Sequence, residues 1–204
     1  MGVRRLALDY RPVVATRLGG LKERPWLRYL DSCTERAHGG RYDLIAGDPV
    51  TILTRGATTA RATAAGRRCS RADPFEILPT ALHERLPPTG EAGPCCGGAL
   101  GYFAYDLGRR SKNLAGRAAH DMALPEMAVG LYGGASVVDH AEQRAELIIH
   151  PAAHGPIARV QKAWDTQLPP SPAAGGSAFA ATARVQPDLA FAACAAAWRR
   201  SKGY

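Results

Sequence analysis

Residues 97–106 read Gly-Gly-Ala-Leu-Gly-Tyr-Phe-Ala-Tyr-Asp and form the most distinctive run of this sequence. From Cys96 to Tyr105, apolar side chains occupy both alternating sets of positions, a pattern that predicts a strand over 96–105 buried on both faces. The glycines at 97, 98 and 101 indicate bends or the close approach of a neighbouring backbone. We expect the carboxylate of Asp106 to cap backbone N–H groups or to pair with an arginine as the chain leaves the strand.

Upstream of this run, short apolar segments alternate with turns. Strands are predicted over 26–30, over 50–54 and over 57–64, and the last two are joined by a turn at Arg55-Gly56. A further apolar run covers 42–47. These segments indicate an antiparallel meander.

A helix is predicted over 74–86. Asp73 is a suitable N-cap, and Pro74 suits the first helical position. Phe75, Leu78 and Leu82 then recur at the three- and four-residue steps of one helix face. Two prolines at 87 and 88 end the helix.

Downstream, runs over 127–132, 135–139 and 145–150 predict a second antiparallel group. Residues 157–168 have helical spacing, and 169–187 form a linker with proline and glycine. Asp188 is then a suitable N-cap for an alanine-rich helix that starts at Leu189.

The composition sets the class of protein. With 204 residues, 46% of them apolar and 22% charged, the chain can bury a sizeable core in one large domain, or in one domain plus a fragment. No apolar run approaches the roughly 18 residues of a membrane helix, and no signal peptide precedes the first strand. We therefore expect a soluble, cytoplasmic protein without a membrane partner.

Cysteine and histidine give no sign of a metal site. The five cysteines contain no Cys-x-x-Cys pair, and the adjacent Cys95 and Cys96 are poorly suited to one tetrahedral zinc ion. The six histidines are scattered, without the His-Glu-x-x-His spacing of zinc hydrolases. We expect reduced thiols and no metal bound by this chain.

The net charge of +8 raises the question of a nucleic-acid partner. Residues 49–72 contain five arginines and no acidic residue, which fits a nucleic-acid surface or a solvated hairpin edge whose charge discourages strand pairing. Across the chain 22 arginines accompany only 4 lysines, a bias that GC-rich codon usage produces on its own. We do not expect nucleic acid as a partner, and salt-dependent DNA binding would revive that alternative.

The run from Gly97 to Arg109 resembles the Gly-Gly-x-x-Gly-Tyr-Phe-x-Tyr-Asp-x-x-Arg signature of the N-terminal domain of chorismate-utilising synthases. Supporting segments occur in the same order as in that family. They are Pro25-Trp26 with Leu30-Asp31-Ser32, Arg41-Tyr42-Asp43, Asp48-Pro49, residues 125–132, and Val137-Val138-Asp139-His140. The downstream segments are more similar to component I of aminodeoxychorismate (para-aminobenzoate) synthase than to component I of anthranilate synthase.

The resemblance implies an α+β fold of two packed antiparallel sheets with flanking helices over residues 1–168. It implies a linker over 169–187, and over 188–204 the start of a chorismate-binding domain that is cut short. In the intact family that later domain contains the magnesium-binding glutamates and the catalytic lysine, and a glutaminase subunit (component II) supplies ammonia. The resemblance therefore implies no catalytic residue and no cofactor in this chain, which we expect to be inactive alone.

Several members of the family also bind tryptophan in this domain, and the matching positions here are Ser32, Gly39, Gly40, Arg41 and Tyr42. A serine hydroxyl and glycine-loop backbone groups can bind ammonium and carboxylate, while a tyrosine offers its face to an indole. The same residues also fit a flexible turn, a solvated charge and a core aromatic. Two alternative functions stay open: a stand-alone tryptophan-binding regulatory module, and a fragment of anthranilate synthase component I.

Overall fold

The computed structural model describes residues 2–32, 40–55, 57–63, 66–91, 93–109, 124–153, 164 and 190–202. The chain separates into two compact units, Met1–Pro169 and Pro170–Tyr204. In the described part of the second unit, a single helix covers Phe191–Ser201. The predicted cap Asp188 and the predicted linker lie outside the described residues.

The first unit is built from two antiparallel sheets of five strands each, which confirms the predicted α+β class. In chain order the strands are β1 (Arg4–Leu8), β2 (Arg28–Leu30), β3 (Tyr42–Ala46), β4 (Val50–Arg55), β5 (Thr58–Thr63), β6 (Gly66–Ser70), β7 (Gly98–Phe103), β8 (Met127–Tyr132), β9 (Gly134–Asp139) and β10 (Arg144–Ile149). Sheet A has the order β1-β10-β9-β3-β2, and sheet B has the order β6-β5-β4-β8-β7.

Apolar clusters cover both faces of sheet A. On one face, Ile45 and Val138 pack with Trp164 and with a short helical segment made of a 3₁₀ turn (Val14–Arg17) and α1 (Leu18–Leu21). On the other face, side chains of β3, β9 and β10 meet Tyr132 of β8 and Leu100 of β7, so this cluster lies between the sheets. Trp164 is the described part of the predicted 157–168 helix, and its indole N–H donates to the Asp9 carbonyl at 3.2 Å.

Sheet B packs its outer face against α2 (Pro74–Arg85), the helix that the sequence predicted. The Asp73 carboxylate accepts a hydrogen bond from the Phe75 N–H at 2.9 Å, which confirms the expected N-cap. Alternate residues of β4 and β8, including Ile52 and Val129, contact the buried face of α2. The interior strand β8, between β4 and β7, is buried along its whole length.

The prediction that 96–105 forms a strand buried on both faces is wrong. β7 is an edge strand of sheet B, and its residues alternate between half-buried and exposed before ending in the exposed Tyr102 and Phe103. Apolar composition on both faces does not distinguish a central strand from an edge strand whose outer side chains are left uncovered. The expectation that a glycine marks the close approach of a neighbouring backbone is confirmed at Gly101, because a Cβ there would lie 2.1 Å from the Ala128 carbonyl oxygen of β8.

Two further strand predictions need adjustment. The strand predicted over 26–30 begins only at Arg28, because Trp26 has a φ of 54°, which a strand cannot contain. β1 and β6 were not predicted at all. The other predicted strands are present, with ends that differ from the predicted ones by one or two residues. Asp106 pairs with Arg109 at 2.6 Å, which confirms one of the two roles expected for its carboxylate.

Candidate functional site

The predicted tryptophan-site residues flank the β2–β3 pair of sheet A. Ser32 follows β2, and Gly40 and Arg41 precede β3, which Tyr42 begins. Gly39 lies outside the described residues. Antiparallel pairing of Leu30 with Leu44 holds the two chain segments side by side at this end of the sheet.

Ser32 belongs to a buried polar cluster around Asp43. The Asp43 carboxylate accepts hydrogen bonds from the Ser32 backbone N–H at 2.8 Å and from the Tyr29 hydroxyl at 3.0 Å. Nε2 of His140 lies 3.2 Å from the same carboxylate, and Nδ1 of His140 is 3.4 Å from the Tyr10 hydroxyl. Asp43 is only 3% exposed, so these contacts supply nearly all the solvation that its charge receives.

The electrostatics of Asp43 follow from this arrangement. Burial by itself raises the pKa of the carboxyl group, but hydrogen bonds from Ser32, His140 and Tyr29 outweigh burial and hold the pKa below its ordinary value. Asp43 is therefore an anion at neutral pH. It is a fixed negative charge that could attract a ligand ammonium group.

The Ser32 hydroxyl is buried, and no described residue meets it with good hydrogen-bond geometry. It lies close enough to Asp43 to help lower the pKa of that carboxyl group. A buried hydroxyl without a well-formed bond is costly, so a polar ligand atom at this position would be stabilising. This is the observation in the cluster that favours a ligand.

Arg41 and Tyr42 have other partners. The Arg41 guanidinium donates two hydrogen bonds to Asp139, Nε to Oδ1 at 2.9 Å and Nη2 to Oδ2 at 2.8 Å. It also lies over the Tyr42 ring, 4.9 Å from the ring centroid. The hydrogen bond from Arg41 is the main cause that lowers the pKa of Asp139, and burial of Asp139 opposes it. The Arg41 guanidinium, one of the predicted tryptophan-site groups, is thus already paired with Asp139.

The predicted residues therefore fall into two groups. Consecutive strand residues point to opposite faces of a sheet, so Tyr42 packs toward the cluster between the sheets while Asp43 faces the other side with Ser32. The assignment of tryptophan binding to Ser32, Gly39, Gly40, Arg41 and Tyr42 stays a prediction.

Sequence reasoning missed the acidic residues of this site. Asp43 and Asp139 each end or interrupt an apolar run, and a buried carboxylate in such a run signals a specific partner. The partners could not be identified in advance, because Arg41 and Asp139 are 98 positions apart.

Two general searches complete the description of the site. Within the described residues, no group of three or more His, Cys, Asp or Glu side chains is arranged to hold a metal ion. None of the helices in the described ranges is both long and apolar enough to cross a membrane.

Known proteins are similar in sequence to parts of this chain. It is 40% identical over 148 residues to aminodeoxychorismate synthase component 1 of Salmonella typhimurium, an alignment that covers 70% of this chain and 32% of the relative. It is 37% identical over 92 residues to anthranilate synthase component 1 of Mycobacterium tuberculosis, which covers 45% of this chain and 17% of that relative. The chain spans about a third of the length of the aminodeoxychorismate synthase relatives that it matches.

Among solved structures, component I of anthranilate synthase from Streptococcus pneumoniae aligns with a TM-score of 0.49 and 16% identity, over 77% of this chain and 34% of that one. No family model matches the sequence. The alignments to aminodeoxychorismate synthase confirm the resemblance that the Gly97–Arg109 motif indicated. Anthranilate synthase component 1 of Mycolicibacterium smegmatis aligns over the same 70% of this chain, but at the lower identity of 33%.

Proposed function

We propose that this chain, a relative of aminodeoxychorismate synthase component I, is the amino-terminal and non-catalytic portion of such a synthase. The proposal rests on one observation, the alignment that covers most of this chain but only a third of the relative. In the intact protein this portion would support the conversion of chorismate to 4-amino-4-deoxychorismate, on the route to para-aminobenzoate and folate. The reacting groups would belong to the separate chorismate-binding domain.

The exposed edge of sheet B supports this assignment. Tyr102 and Phe103 at the end of β7 are 40% and 49% exposed, and Tyr105 in the following 3₁₀ turn is 96% exposed. Phe103 stacks on Phe75 of α2 with ring centroids 5.8 Å apart, which extends the aromatic surface onto the helix. Exposed aromatic side chains along one sheet edge mark a protein interaction site, and Tyr102, Phe103 and Tyr105 belong to the motif that resembles the synthase signature.

In this proposal, the Mg²⁺ cofactor and the partner subunit bind to the intact synthase. The described residues offer no cluster that fits Mg²⁺, so no step is assigned to a metal in this chain. The relatives are named as component 1 of a synthase, which supports a partner subunit, and we propose that this partner is the glutaminase. A cytoplasmic location is part of the same proposal.

Chorismate turnover tests the proposal. Purified chain, incubated with chorismate, ammonium and Mg²⁺, should form no aminodeoxychorismate above a protein-free blank. The Salmonella typhimurium relative, assayed in parallel, is the positive control. Turnover by the chain alone would overturn the assignment as a non-catalytic portion.

Tryptophan binding is a second candidate function, favoured by the buried Ser32 hydroxyl, which forms no hydrogen bond of good geometry with any described residue. Calorimetry should detect saturable tryptophan binding that Ser32→Ala abolishes. Ser70→Ala, at an exposed serine at the end of β6, is the matched control and should leave binding unchanged. Heat changes that do not saturate, or equal binding by both variants, would exclude this role.

A further inference from the structure

A second part of the first unit has the form of a ligand site. A cavity of about 270 Å³ lies at the far end of β3 from Ser32, where the chain leaves sheet A. Its walls include Ile45 and Leu147 of sheet A, with Leu21 and Leu27 of the preceding segment. None of the described residues of the Asp43 cluster lines this cavity, so the two regions are separate.

The size and walls of the cavity suit one small ring. A dry cavity of about 150 Å³ lined by aliphatic and aromatic side chains is enough to hold benzene. The present cavity is larger, and its walls are formed mainly by leucine, isoleucine, valine and alanine, with Ser136 as a small polar group. A six-membered ring with a short polar substituent fits this volume.

The ionisable residues of the lining favour an anionic substituent. They are Arg24, Asp48 and Arg85. Nη2 of Arg24 pairs with Oδ2 of Asp48, whereas Nη1 of Arg24 is buried and has no hydrogen-bond partner among the described residues. Arg85 is half-buried at the end of α2 and forms no salt bridge with any described residue. With two guanidinium groups and one carboxylate, the lining has a net positive charge beside an apolar space.

Strained backbone borders the cavity. Trp26, which precedes the lining residue Leu27, and Asp48, a lining residue, have φ values of 54° and 55°. The Asp48 N–H donates to the Pro25 carbonyl at 2.9 Å, and the Tyr132 hydroxyl donates to the Trp26 carbonyl at 2.9 Å, so hydrogen bonds hold both conformations. Positive φ is unfavourable for a bulky residue such as tryptophan and persists only where the surroundings fix it, as at ligand-binding loops.

We propose that this cavity binds a small carboxylate with a single ring. The ring contacts the leucine and isoleucine walls, and the carboxylate accepts hydrogen bonds from Arg24 and Arg85. The proposal does not depend on the assignment of the chain to a synthase, because it rests on the cavity and its charges alone.

An NMR titration of the full chain with benzoate tests the site. Saturable shifts are expected for the amides of the lining residues Gly47, Gly134 and Ser136, and no shifts for those of Asp43 and His140. Benzyl alcohol, a neutral ring of similar size, should bind about tenfold more weakly, because it cannot form charge-assisted hydrogen bonds with the arginines. Equal affinity for the two probes, or no saturable shift of lining residues with benzoate, would overturn the proposal.

Two variants separate the roles of charge and volume. Arg85→Gln should weaken benzoate binding about tenfold and leave benzyl alcohol binding unchanged. Arg68→Gln, an exposed arginine on β6, is the matched control and should change neither. Ala153→Leu places a larger side chain in the lining and should weaken both probes, and its dispersed spectrum would show that the fold is intact. Unchanged benzoate affinity in Arg85→Gln would contradict the proposal.

Discussion

The two edges of sheet B are both exposed, but they present opposite chemistry. Every residue of β6 is exposed, and its centre contains Arg67 and Arg68. β7 instead ends in Tyr102 and Phe103, followed by the nearly fully exposed Tyr105. Charge on an edge strand discourages pairing with other chains, whereas exposed aromatic surface favours an interface. The β6 edge is therefore suited to solvent, and the β7 edge is suited to being covered.

The edge strands of sheet A are charged, as β6 is. Its edge strands β1 and β2 contain Arg4, Arg5 and Arg28, and Arg5 pairs with Glu146 of the neighbouring strand at 3.3 Å. Its buried carboxylates, Asp43 and Asp139, have their partners within the same unit. Of the four edge strands in the described sheets, β7 alone lacks a charged residue.

The largest effect is expected where β7 meets β8. Gly101→Val would place a Cβ 2.1 Å from the Ala128 carbonyl oxygen and 2.6 Å from the Val129 Cα, so the strands must separate. We expect a loss of about 3 kcal/mol in the free energy of unfolding, measured by urea denaturation. Cys69→Val on the exposed β6 edge is the control and should change stability by less than about 0.5 kcal/mol. A tolerated Gly101→Val would show that β7 does not pack as described.

A smaller loss is expected in sheet A. Asp139→Asn removes the charge that accepts both Arg41 hydrogen bonds and the N–H groups of Ala141 and Glu142. We expect a loss of about 1–3 kcal/mol in thermal or urea unfolding, because the amide cannot accept from all four donors. The variant Glu142→Gln, at a nearby exposed residue, should have nearly the wild-type free energy of unfolding. Equal effects of the two variants would show that the Asp139 network does not stabilise sheet A.

Acid should affect sheet A before sheet B. The pKa values of Asp43 and Asp139 lie below their ordinary range, so their contribution to stability is complete above about pH 4 and is lost as pH falls through the folded-state pKa values. Hydrogen exchange should show β3 and β9 losing protection at a higher pH than β4 and β8. Asp43→Asn should reduce this difference, and simultaneous loss of protection in all four strands would contradict the account.

The smallest stability effect is expected at the aromatic edge. Phe103→Ser loses a stacked, half-exposed ring and should cost about 1 kcal/mol or less. It should instead reduce self-association of the isolated chain in sedimentation experiments. Arg68→Ser on β6 should not reduce self-association. The reverse ranking of the two variants would exclude β7 as the interaction edge.

Local signals were enough to predict many elements of the fold. The Asp73 cap and the apolar spacing of 74–86 predicted α2, and continuous β-rich runs predicted β8, β9 and β10. β1 and β6 were missed because each contains two arginines that hide any alternation of apolar and polar residues. In addition, β1 pairs with the distant strand β10, and β6 pairs with a neighbour on one side only. The exposure of β7 could not be predicted, since strand order is a property of the whole sheet.

The site was predictable only in part. The segments around Ser32 and Arg41 were predicted to act together, and β2–β3 pairing does bring these segments alongside each other. Tyr42 and Asp43 lie on opposite faces because they are consecutive in β3, but which of them faces sheet B depends on how β3 pairs and packs, which the sequence did not define. The Arg41–Asp139 and Asp43–His140 contacts join residues about a hundred positions apart, so they become visible only in the folded chain.

A chimera tests the central claim most directly. The aligned segment of the Salmonella typhimurium synthase component would be replaced by the matching residues of this chain, and formation of aminodeoxychorismate from chorismate, ammonium and Mg²⁺ would be measured. The account predicts that the chimera is active, and that Phe103→Ser with Tyr105→Ser lowers its activity while Arg68→Ser does not. A chimera that folds but forms no product would contradict the claim that this chain is the scaffold portion of such a synthase.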